Sequence, residues 1–236
     1  MKHKNWKNNV IPKIHWIDSK EFEEESNKLS TLDHVDGIIV PGGFGLSGIQ
    51  GKIDTITYTR EHHIPYLGLC LGMQLAVVEY AQNVCELPDA HSKEVIKDTK
   101  YPVIDFIPEQ VNILQESRYG ATMRLGSYPA ILKSGTKVHE LYGTDKVEER
   151  HRHRYEVNPD FVKTLEDGGL VFSGHSPDGV LMEFLELPDH PFFIATQAHP
   201  EFKSRPIKPA PLFDGFVKAA IKKKRNNPNA SLKQIA

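Results

Sequence analysis

Short apolar runs alternate with helical stretches over roughly the first hundred residues of the chain. Runs of this length fit buried strands, and the stretches between them show the spacing of apolar positions that is typical of helices. We predict strands at residues 14–17, 37–40 and 64–68, and helices at residues 53–61 and 73–80. Strands that alternate with helices in this way indicate a parallel sheet covered by helices.

Beyond residue 100 the pattern changes, and runs that are typical of strands predominate. They lie at residues 103–107, 121–125, 171–173, 182–187 and 192–197. Residues 221–236 include four consecutive basic residues and are otherwise mostly polar. Such a run is more typical of a frayed helix end than of a nucleic-acid site. We therefore predict one domain at residues 1–220, followed by a basic polar tail.

The composition is that of an ordinary soluble globular protein. The 236 residues are 39% hydrophobic and 25% charged, with a formal net charge of -2. The bulk charge favours neither nucleic acid nor an acidic membrane, and no apolar stretch has the length of a membrane span or the form of a signal peptide. Cys70 and Cys85 would lie about 20 Å apart along one helix, so we predict no disulfide and a cytoplasmic protein.

One cysteine lies between two glycines where an apolar strand gives way to a helix, in Gly-Leu-Cys-Leu-Gly at residues 68–72. A sharp turn of this kind exposes a nucleophile and directs the next backbone N–H toward a developing oxyanion. The positive end of the helix dipole is expected to favour the thiolate and lower the pKa of Cys70. The alternative is a small cysteine buried in the core, the usual environment of a free cysteine.

A cysteine nucleophile needs a base, and the base needs a group that holds its ring. His199 and Glu201, in a His-Pro-Glu run, follow directly after the predicted strand at residues 192–197. If that strand is parallel to the strand before Cys70, all three side chains reach one edge of the sheet. The alternative is a histidine that is structural or merely exposed.

A glycine-rich turn at residues 41–45 follows the predicted strand at residues 37–40, where open α/β sheets place their sites. Gly42 and Gly43 are candidates for the second half of an oxyanion hole, because a residue without Cβ lets a backbone N–H come close to a substrate carbonyl. The alternative is a plain turn. A P-loop is excluded, since its Gly-Lys-Ser/Thr ending is absent.

The run Arg-His-Arg-His-Arg at residues 150–154 resembles a metal or RNA site at first sight. In a strand its arginines share one face and its histidines the other, with no cysteine or aspartate nearby, so we expect no zinc site. An arginine that binds a substrate carboxylate is the better interpretation, because a guanidinium pairs bidentately with a carboxylate. A zinc deaminase is excluded because no Pro-Cys-x-x-Cys accompanies the His-Pro-Glu run.

The glycine turn, the cysteine turn and the His-Pro-Glu run occur in the order seen in class I glutamine amidotransferases of the Cys-His-Glu type, which the chain resembles. Two further runs, at residues 122–126 and 149–156, extend the resemblance to the C-terminal glutaminase domain of CTP synthases. The resemblance covers about residues 5–220. It implies an α/β fold, an open and mostly parallel sheet flanked by helices, with an additional antiparallel strand region in the C-terminal half.

The resemblance also implies an enzyme and a set of roles. Cys70 attacks the side-chain amide of L-glutamine, His199 transfers protons, and Glu201 orients His199. The backbone N–H groups of Gly43 and Leu71 form the oxyanion hole. Ammonia leaves, and water hydrolyses a glutamyl thioester to glutamate.

The same resemblance implies substrate-binding residues, cofactors and partners. Gln74, Glu94 and Arg154 hold the amino and carboxylate groups of glutamine. The chain itself is expected to need no cofactor and no metal, whereas a complete CTP synthase uses ATP, Mg²⁺, UTP and GTP. The expected partners are L-glutamine and a synthetase domain or subunit of the CTP synthase type. A homo-oligomer stays open, and neither nucleic acid nor a membrane is expected.

Three departures from the family pattern stand out. Ser47 replaces a usual arginine in a loop implicated in the GTP response, Ala198 replaces an aromatic residue, and Ser-Lys-Glu-Val at residues 92–95 replaces Ser-Thr-Glu-Phe. The first apolar strand of the family is also expected to be missing from this chain. The leading hypothesis is a glutaminase module that works with a synthetase partner. The alternatives are a γ-glutamyl peptidase with the same triad and a non-catalytic remnant with an assembly or regulatory role.

Overall fold

The computed structural model of the protein describes residue 8, residues 10–106 and residues 123–226. In chain order its strands are β1 (Ile38–Val40), β2 (Tyr66–Leu69), β3 (Ala90–Ser92), β4 (Tyr101–Phe106), β5 (Arg124–Leu132), β6 (Lys146–His153), β7 (Tyr155–Val157), β8 (Val171–His175), β9 (Met182–Glu186) and β10 (Phe193–Thr196). Its helices are α1 (Lys20–Glu24), α2 (Ile49–Glu61), α3 (Leu71–Asn83), α4 (Lys137–Tyr142), α5 (Pro159–Asp167) and α6 (Pro211–Asn226), with 3-10 helices at Ser26–His34 and Pro200–Phe202.

Within the described residues, seven strands form a large sheet in the order β1-β2-β10-β9-β8-β5-β6, while β3, β4 and β7 form a small one. Strands β1, β2 and β10 are parallel to one another. The pairs β10–β9, β9–β8, β8–β5 and β5–β6 are antiparallel. All residues of β2 and β10 are buried, as expected of parallel strands covered on both faces. The predicted α/β fold, with parallel strands and an additional antiparallel region, is confirmed.

Helix α3 begins directly after β2 and forms the centre of the molecule. Its residues 71–81 are buried, because the helix packs against both sheets and against α2. On the side of the sheet that α3 covers, Tyr66 stacks on Phe193 at 4.5 Å between ring centroids. Leu67 and Leu69 belong to a second core with residues of α6, since successive side chains of a strand point to opposite faces.

Most predicted elements are present, with shifted ends. The strands at residues 37–40, 64–68, 103–107, 171–173, 182–187 and 192–197 correspond to β1, β2, β4, β8, β9 and β10, and the two predicted helices lie within α2 and α3. Of the strand at residues 121–125, residues 124–125 belong to β5, while residues 121–122, like residue 107, lie outside the described residues. The predicted boundary between the domain and the tail, after residue 220, lies within α6. Residues 227–236 of the tail lie outside the described residues.

The strand predicted at residues 14–17 is wrong. This segment has no regular secondary structure, and its Trp16 is 90% exposed. A strand exists only where its backbone finds a partner, so a favourable local pattern is not sufficient. Among the helices that the structure describes, none combines the length and apolar character needed to cross a membrane.

Candidate active site

Cys70 occupies the sharp turn between β2 and α3. Its backbone has a φ of 51° and a ψ of −102°, which is rare for a residue with a side chain. A hydrogen bond holds the turn, because the Tyr66 hydroxyl donates to the carbonyl of Gly72 at 2.9 Å. A Cβ on Gly72 would lie only 2.2 Å from the carbonyl oxygen of Val40. The second glycine of the predicted motif therefore lets the helix start lie directly against β1.

His199 and Glu201 follow β10, and the parallel pairing of β10 with β2 brings them to the turn of Cys70. The backbone N–H of Cys70 donates to the carbonyl of Thr196 at 2.7 Å, which joins the two strand ends. His199 Nδ1 lies 2.7 Å from Glu201 Oε1. His199 Nε2 is buried and has no hydrogen-bond partner in the part of the chain that the structure describes.

Gly42 lies between His199 and Cys70. A Cβ at Gly42 would lie 2.7 Å from His199 Cε1 and 3.4 Å from Cys70 Cβ, so the imidazole and the cysteine side chain are neighbours around one backbone position. Gly43 lies against Leu71, because its Cβ would meet Leu71 Cδ2 at 3.3 Å. The structure thus brings the glycine turn and the first residue of α3 together beside the sulfur.

The expected lowering of the Cys70 pKa is wrong. Burial raises the pKa of the Cys70 thiol to about 12, since the residue is only 3% exposed. A hydrogen bond from the Leu71 backbone N–H lowers this pKa, and the negative charges of Glu156, Glu201 and Glu94 raise it. The resting form is therefore the thiol, and a base has to take its proton before the sulfur acts as a nucleophile.

Of the residues predicted to bind the substrate, Gln74 and Glu94 lie near Cys70, and Arg154 lies near Glu94. Gln74, on α3, is 3% exposed, and its Nε2 donates to the Tyr155 carbonyl at 2.9 Å. Glu94 is half-buried, and burial raises its pKa while the positive charge of Arg154 lowers it. Arg154 is exposed at the bend between β6 and β7. A carboxylate and a guanidinium near one another suit the two charges of an amino acid.

A buried cluster of charges lies behind the site. Arg124 contacts Glu183 Oε1 at 2.6 Å and Glu156 Oε1 at 3.2 Å, and burial raises the pKa of both carboxyl groups. Burial, together with the charge of Arg124, lowers the pKa of His151 to about 2 and that of His153 to about 3. The two rings therefore stay neutral, and their facing nitrogens lie 3.0 Å apart.

This cluster explains the run of alternating arginines and histidines. In β6 the histidines are buried and the arginines exposed, which confirms the predicted alternation. The histidines thus pack against the buried ion pairs while the arginines face outward. Over residue 8, residues 10–106 and residues 123–226, no group of three or more histidine, cysteine, aspartate or glutamate side chains has an arrangement that could hold a metal ion.

Gln197 is a residue of the site that the sequence did not reveal. It is completely buried, and its Nε2 lies 3.6 Å from Cys70 Sγ. In the sequence it is only the last residue of an apolar strand, two positions before His199. Its nearness to His199 along the chain is the one signal that pointed to it.

The Glutamine amidotransferase class-I family matches residues 2–219 of the chain. The CTP synthase of Pyrococcus abyssi is 57% identical over 221 residues, which are 93% of this chain and 40% of that protein. The CTP synthase of Methanocaldococcus jannaschii is 54% identical over 227 residues, covering 94% of this chain and 42% of that protein. The chain therefore spans about two fifths of the length of these curated relatives.

A solved structure resembles the whole described fold. It is the glutaminase domain of Trypanosoma brucei CTPS with bound acivicin, with a TM-score of 0.88 and 36% sequence identity. The match covers 94% of this chain and 85% of the trypanosomal one. At this identity and coverage the resemblance extends beyond the fold to the type of domain.

Proposed function

The chain belongs to the class I glutamine amidotransferase family and, within it, to the glutaminase domains of the CTP synthase type, and on this premise we propose that it hydrolyses L-glutamine. Cys70 is the nucleophile, His199 carries the protons and Glu201 orients His199. One observation carries the proposal. Glu201 holds the buried His199 ring through Nδ1, while Nε2 has no hydrogen-bond partner among the described residues and the ring lies beside Cys70.

The first half of the reaction forms a thioester. His199 Nε2 takes the thiol proton, and the sulfur of Cys70 attacks the side-chain amide carbon of glutamine. The backbone N–H groups of Gly43 and Leu71 stabilise the oxyanion that develops on the amide oxygen. The C–N bond then breaks as His199 gives its proton to the leaving nitrogen, so ammonia departs and a glutamyl thioester remains.

The second half hydrolyses the thioester. His199 takes a proton from water, the resulting hydroxide adds to the thioester carbon, and the C–S bond breaks. The sulfur leaves with the proton that His199 returns, which gives glutamate and restores the thiol. Because His199 is positively charged in both halves, the carboxylate of Glu201 stabilises it each time.

Charge decides how glutamine is oriented. Glu94 binds the substrate's ammonium and Arg154 its carboxylate, since each pairs with a group of opposite charge. Both protons of the Gln74 amide nitrogen face protein acceptors, on Tyr155 and Gln197. Only the carbonyl oxygen of Gln74 is left for a ligand, which suits the ammonium rather than the carboxylate.

The ammonia is proposed to serve the conversion of UTP to CTP in pyrimidine nucleotide biosynthesis. This part rests on the CTP synthase relatives, of which the chain spans about two fifths. A synthetase domain or subunit with ATP, Mg²⁺, UTP and GTP supplies that chemistry. The cytoplasmic location stays a prediction, and a homo-oligomer stays open.

Glutamate release from glutamine, measured with and without a separately supplied synthetase domain, tests the proposal. We expect Cys70→Ala and His199→Ala to abolish release, and Glu201→Gln to lower it by about 10⁴-fold. The matched control is Cys85→Ala, since Cys85 is the other free cysteine and lies beyond the far end of α3, where its Sγ contacts the Thr164 carbonyl. Hydrolysis that persists in Cys70→Ala would contradict the proposal.

Two further measurements separate the alternatives. A γ-glutamyl peptidase would cleave γ-glutamyl peptides faster than it hydrolyses free glutamine, so the two substrates are compared side by side. Acivicin is bound by the trypanosomal domain, and we expect it to bind this chain in competition with glutamine. Failure to bind either compound would favour the non-catalytic hypothesis.

A further inference from the structure

The amide of Gln197 connects the nucleophile to the small sheet. Gln197 Nε2 lies 3.6 Å from Cys70 Sγ, and Gln197 Oε1 accepts from Gln74 Nε2 at 3.2 Å. The same Gln74 nitrogen donates to the backbone carbonyl of Tyr155 in β7 at 2.9 Å. Because Gln197 is completely buried and its backbone N–H is bonded to the Glu183 carbonyl at 3.0 Å, the side chain is held at both ends.

A backbone carbonyl fixes which end of the Gln197 amide faces the sulfur. The Tyr155 carbonyl can only accept a hydrogen bond, so the Gln74 atom beside it must be the amide nitrogen. That nitrogen can only donate, so the Gln197 atom beside it must be the amide oxygen. The remaining atom, Gln197 Nε2, therefore points an N–H group at Cys70 Sγ.

We propose that Gln197 is a further catalytic residue, which donates its Nε2–H to the Cys70 sulfur and stabilises the thiolate before attack and after release. This inference deepens the proposed function and rests on it for the identity of the reaction. The contact with the sulfur itself does not depend on the substrate. A hydrogen bond to a charged group is stronger than one between neutral groups, so the contact favours the thiolate over the thiol.

The charges around the sulfur explain why such a donor is needed. Glu94 follows β3, Glu156 lies in β7, and Glu201 lies in the 3-10 helix beside His199. All three carboxylates disfavour a negative sulfur. Once His199 has taken the thiol proton, the positive imidazolium balances part of this charge.

In the proposed mechanism Gln197 and Leu71 stabilise negative charge on different atoms, the sulfur and the amide oxygen of the substrate. The Leu71 N–H lowers the pKa of the Cys70 thiol in the resting site, and in the proposed mechanism it stabilises the oxyanion once the substrate is attacked. Gln197 Nε2–H then stays with the sulfur. It is again in place when the tetrahedral intermediate of the second half expels the sulfur.

Alkylation of Cys70 tests this role without glutamine. In a Cys85→Ala background, the rate at which iodoacetamide alkylates Cys70 at pH 8 is compared for three proteins. One keeps Gln197, and the other two carry Gln197→Met or Gln197→Glu. The thiolate reacts and the thiol does not, and a thiolate of higher pKa is also a better nucleophile. We expect a rate about threefold to tenfold lower for Gln197→Met, and a lower rate still for Gln197→Glu, which places a carboxylate oxygen at the sulfur.

The matched control is Gln82→Met. Gln82 lies on α3, and its Nε2 donates to the Ala90 carbonyl at 2.7 Å, away from the sulfur. A purely structural role of Gln197 would lower the melting temperature and leave the alkylation rate of the folded protein unchanged, which would overturn the inference. If alkylation slows in the predicted order while no variant hydrolyses glutamine, the proposed function fails and the role of Gln197 stands.

Discussion

At the scale of the residue, the site depends on how closely backbone and side chain approach one another. Cys70 combines a positive φ with a buried thiol, and both features cost free energy. Backbone strain and burial of this kind persist only where the surrounding structure holds them. Here the helix start, the Tyr66 hydroxyl and the Gln197 amide hold the cysteine from three sides.

Gly42→Ala is expected to disable the site while leaving the protein folded. The added Cβ would lie 2.7 Å from His199 Cε1, so the imidazole has to move. A displacement of about 1 Å in a catalytic group costs roughly a hundredfold in rate, whereas overpacking costs about 1 to 3 kcal/mol of stability. Glutamate release and the melting temperature are measured for the variant and for Ser47→Ala, an exposed control in the same loop. Activity close to that of the unmodified chain would contradict the predicted position of His199.

At the scale of the element, helix α3 begins directly after Cys70, carries Leu71 and Gln74, and needs a firm support. Its outer end is held against α2 by Arg60, whose Nη2 lies 2.8 Å from Glu79 Oε1. Glu79 is fully buried, and Asn83 Nδ2 also donates to its Oε1 at 3.1 Å. A buried charge of this kind is tolerated only while its partner is present.

Arg60→Leu is therefore expected to destabilise the protein by about 3 to 5 kcal/mol, because it leaves the Glu79 carboxylate buried and uncompensated. The double variant Arg60→Leu/Glu79→Leu should recover most of this loss, since a buried pair can be replaced by apolar residues at little cost. Denaturant unfolding gives both values. Lys163→Leu, which removes an exposed pair with Asp167, is the control and should cost at most about 1 kcal/mol. Equal destabilisation by the single and double variants would show that the charge of Glu79 is not the cause.

At the scale of the whole molecule, the two sheets meet at the bend that carries Arg154. Strand β6 belongs to the large sheet and β7 to the small one, and the buried cluster of Arg124 lies where they join. Two neutral histidines and two carboxyl groups with raised pKa share this space. The cluster couples the stability of the fold to pH.

Acid is expected to destabilise the fold through His151 and His153. Their pKa values are lowered to about 2 and about 3, against about 6.5 in an unfolded chain. The contribution of the two neutral histidines to the free energy of unfolding is complete above pH 6.5. It is lost as the pH falls toward 3, because only the unfolded chain takes up these protons. At pH 5 the loss is about 2 kcal/mol for each histidine. Glu156 and Glu183 act in the opposite direction, since their raised pKa values favour proton uptake by the folded state.

A variant separates the histidine contribution from that of the carboxyl groups. Urea unfolding at pH 7.5 and pH 5 is compared for the unmodified chain and for His153→Gln. The variant should lose less stability on acidification, by about 2 kcal/mol. His62→Gln, at an exposed histidine, should show the pH dependence of the unmodified chain. An equal loss in His153→Gln would mean that His153 is protonated in the folded state.

The local pattern of the chain determined the elements and the kind of chemistry. The cysteine turn, the glycine turn and the His-Pro-Glu run are each contained in a few consecutive residues, and apolar runs locate β1, β2, β9 and β10. These features could be predicted because hydrophobic period and turn chemistry are set by neighbouring residues. The resemblance then supplied the roles of the site residues, which stay predictions.

Only the tertiary structure decided what depends on distant partners and on burial. Gln197 meets Cys70 across 127 positions of the chain, and the parallel pairing of β2 with β10 brings His199 beside the sulfur. The raised pKa of Cys70 follows from desolvation and from three carboxylates on separate segments. Residues 14–17 have the pattern of a strand without its pairing. Strand pairing, desolvation and side-chain contacts depend on residues that are far apart in sequence, so no local pattern predicts them.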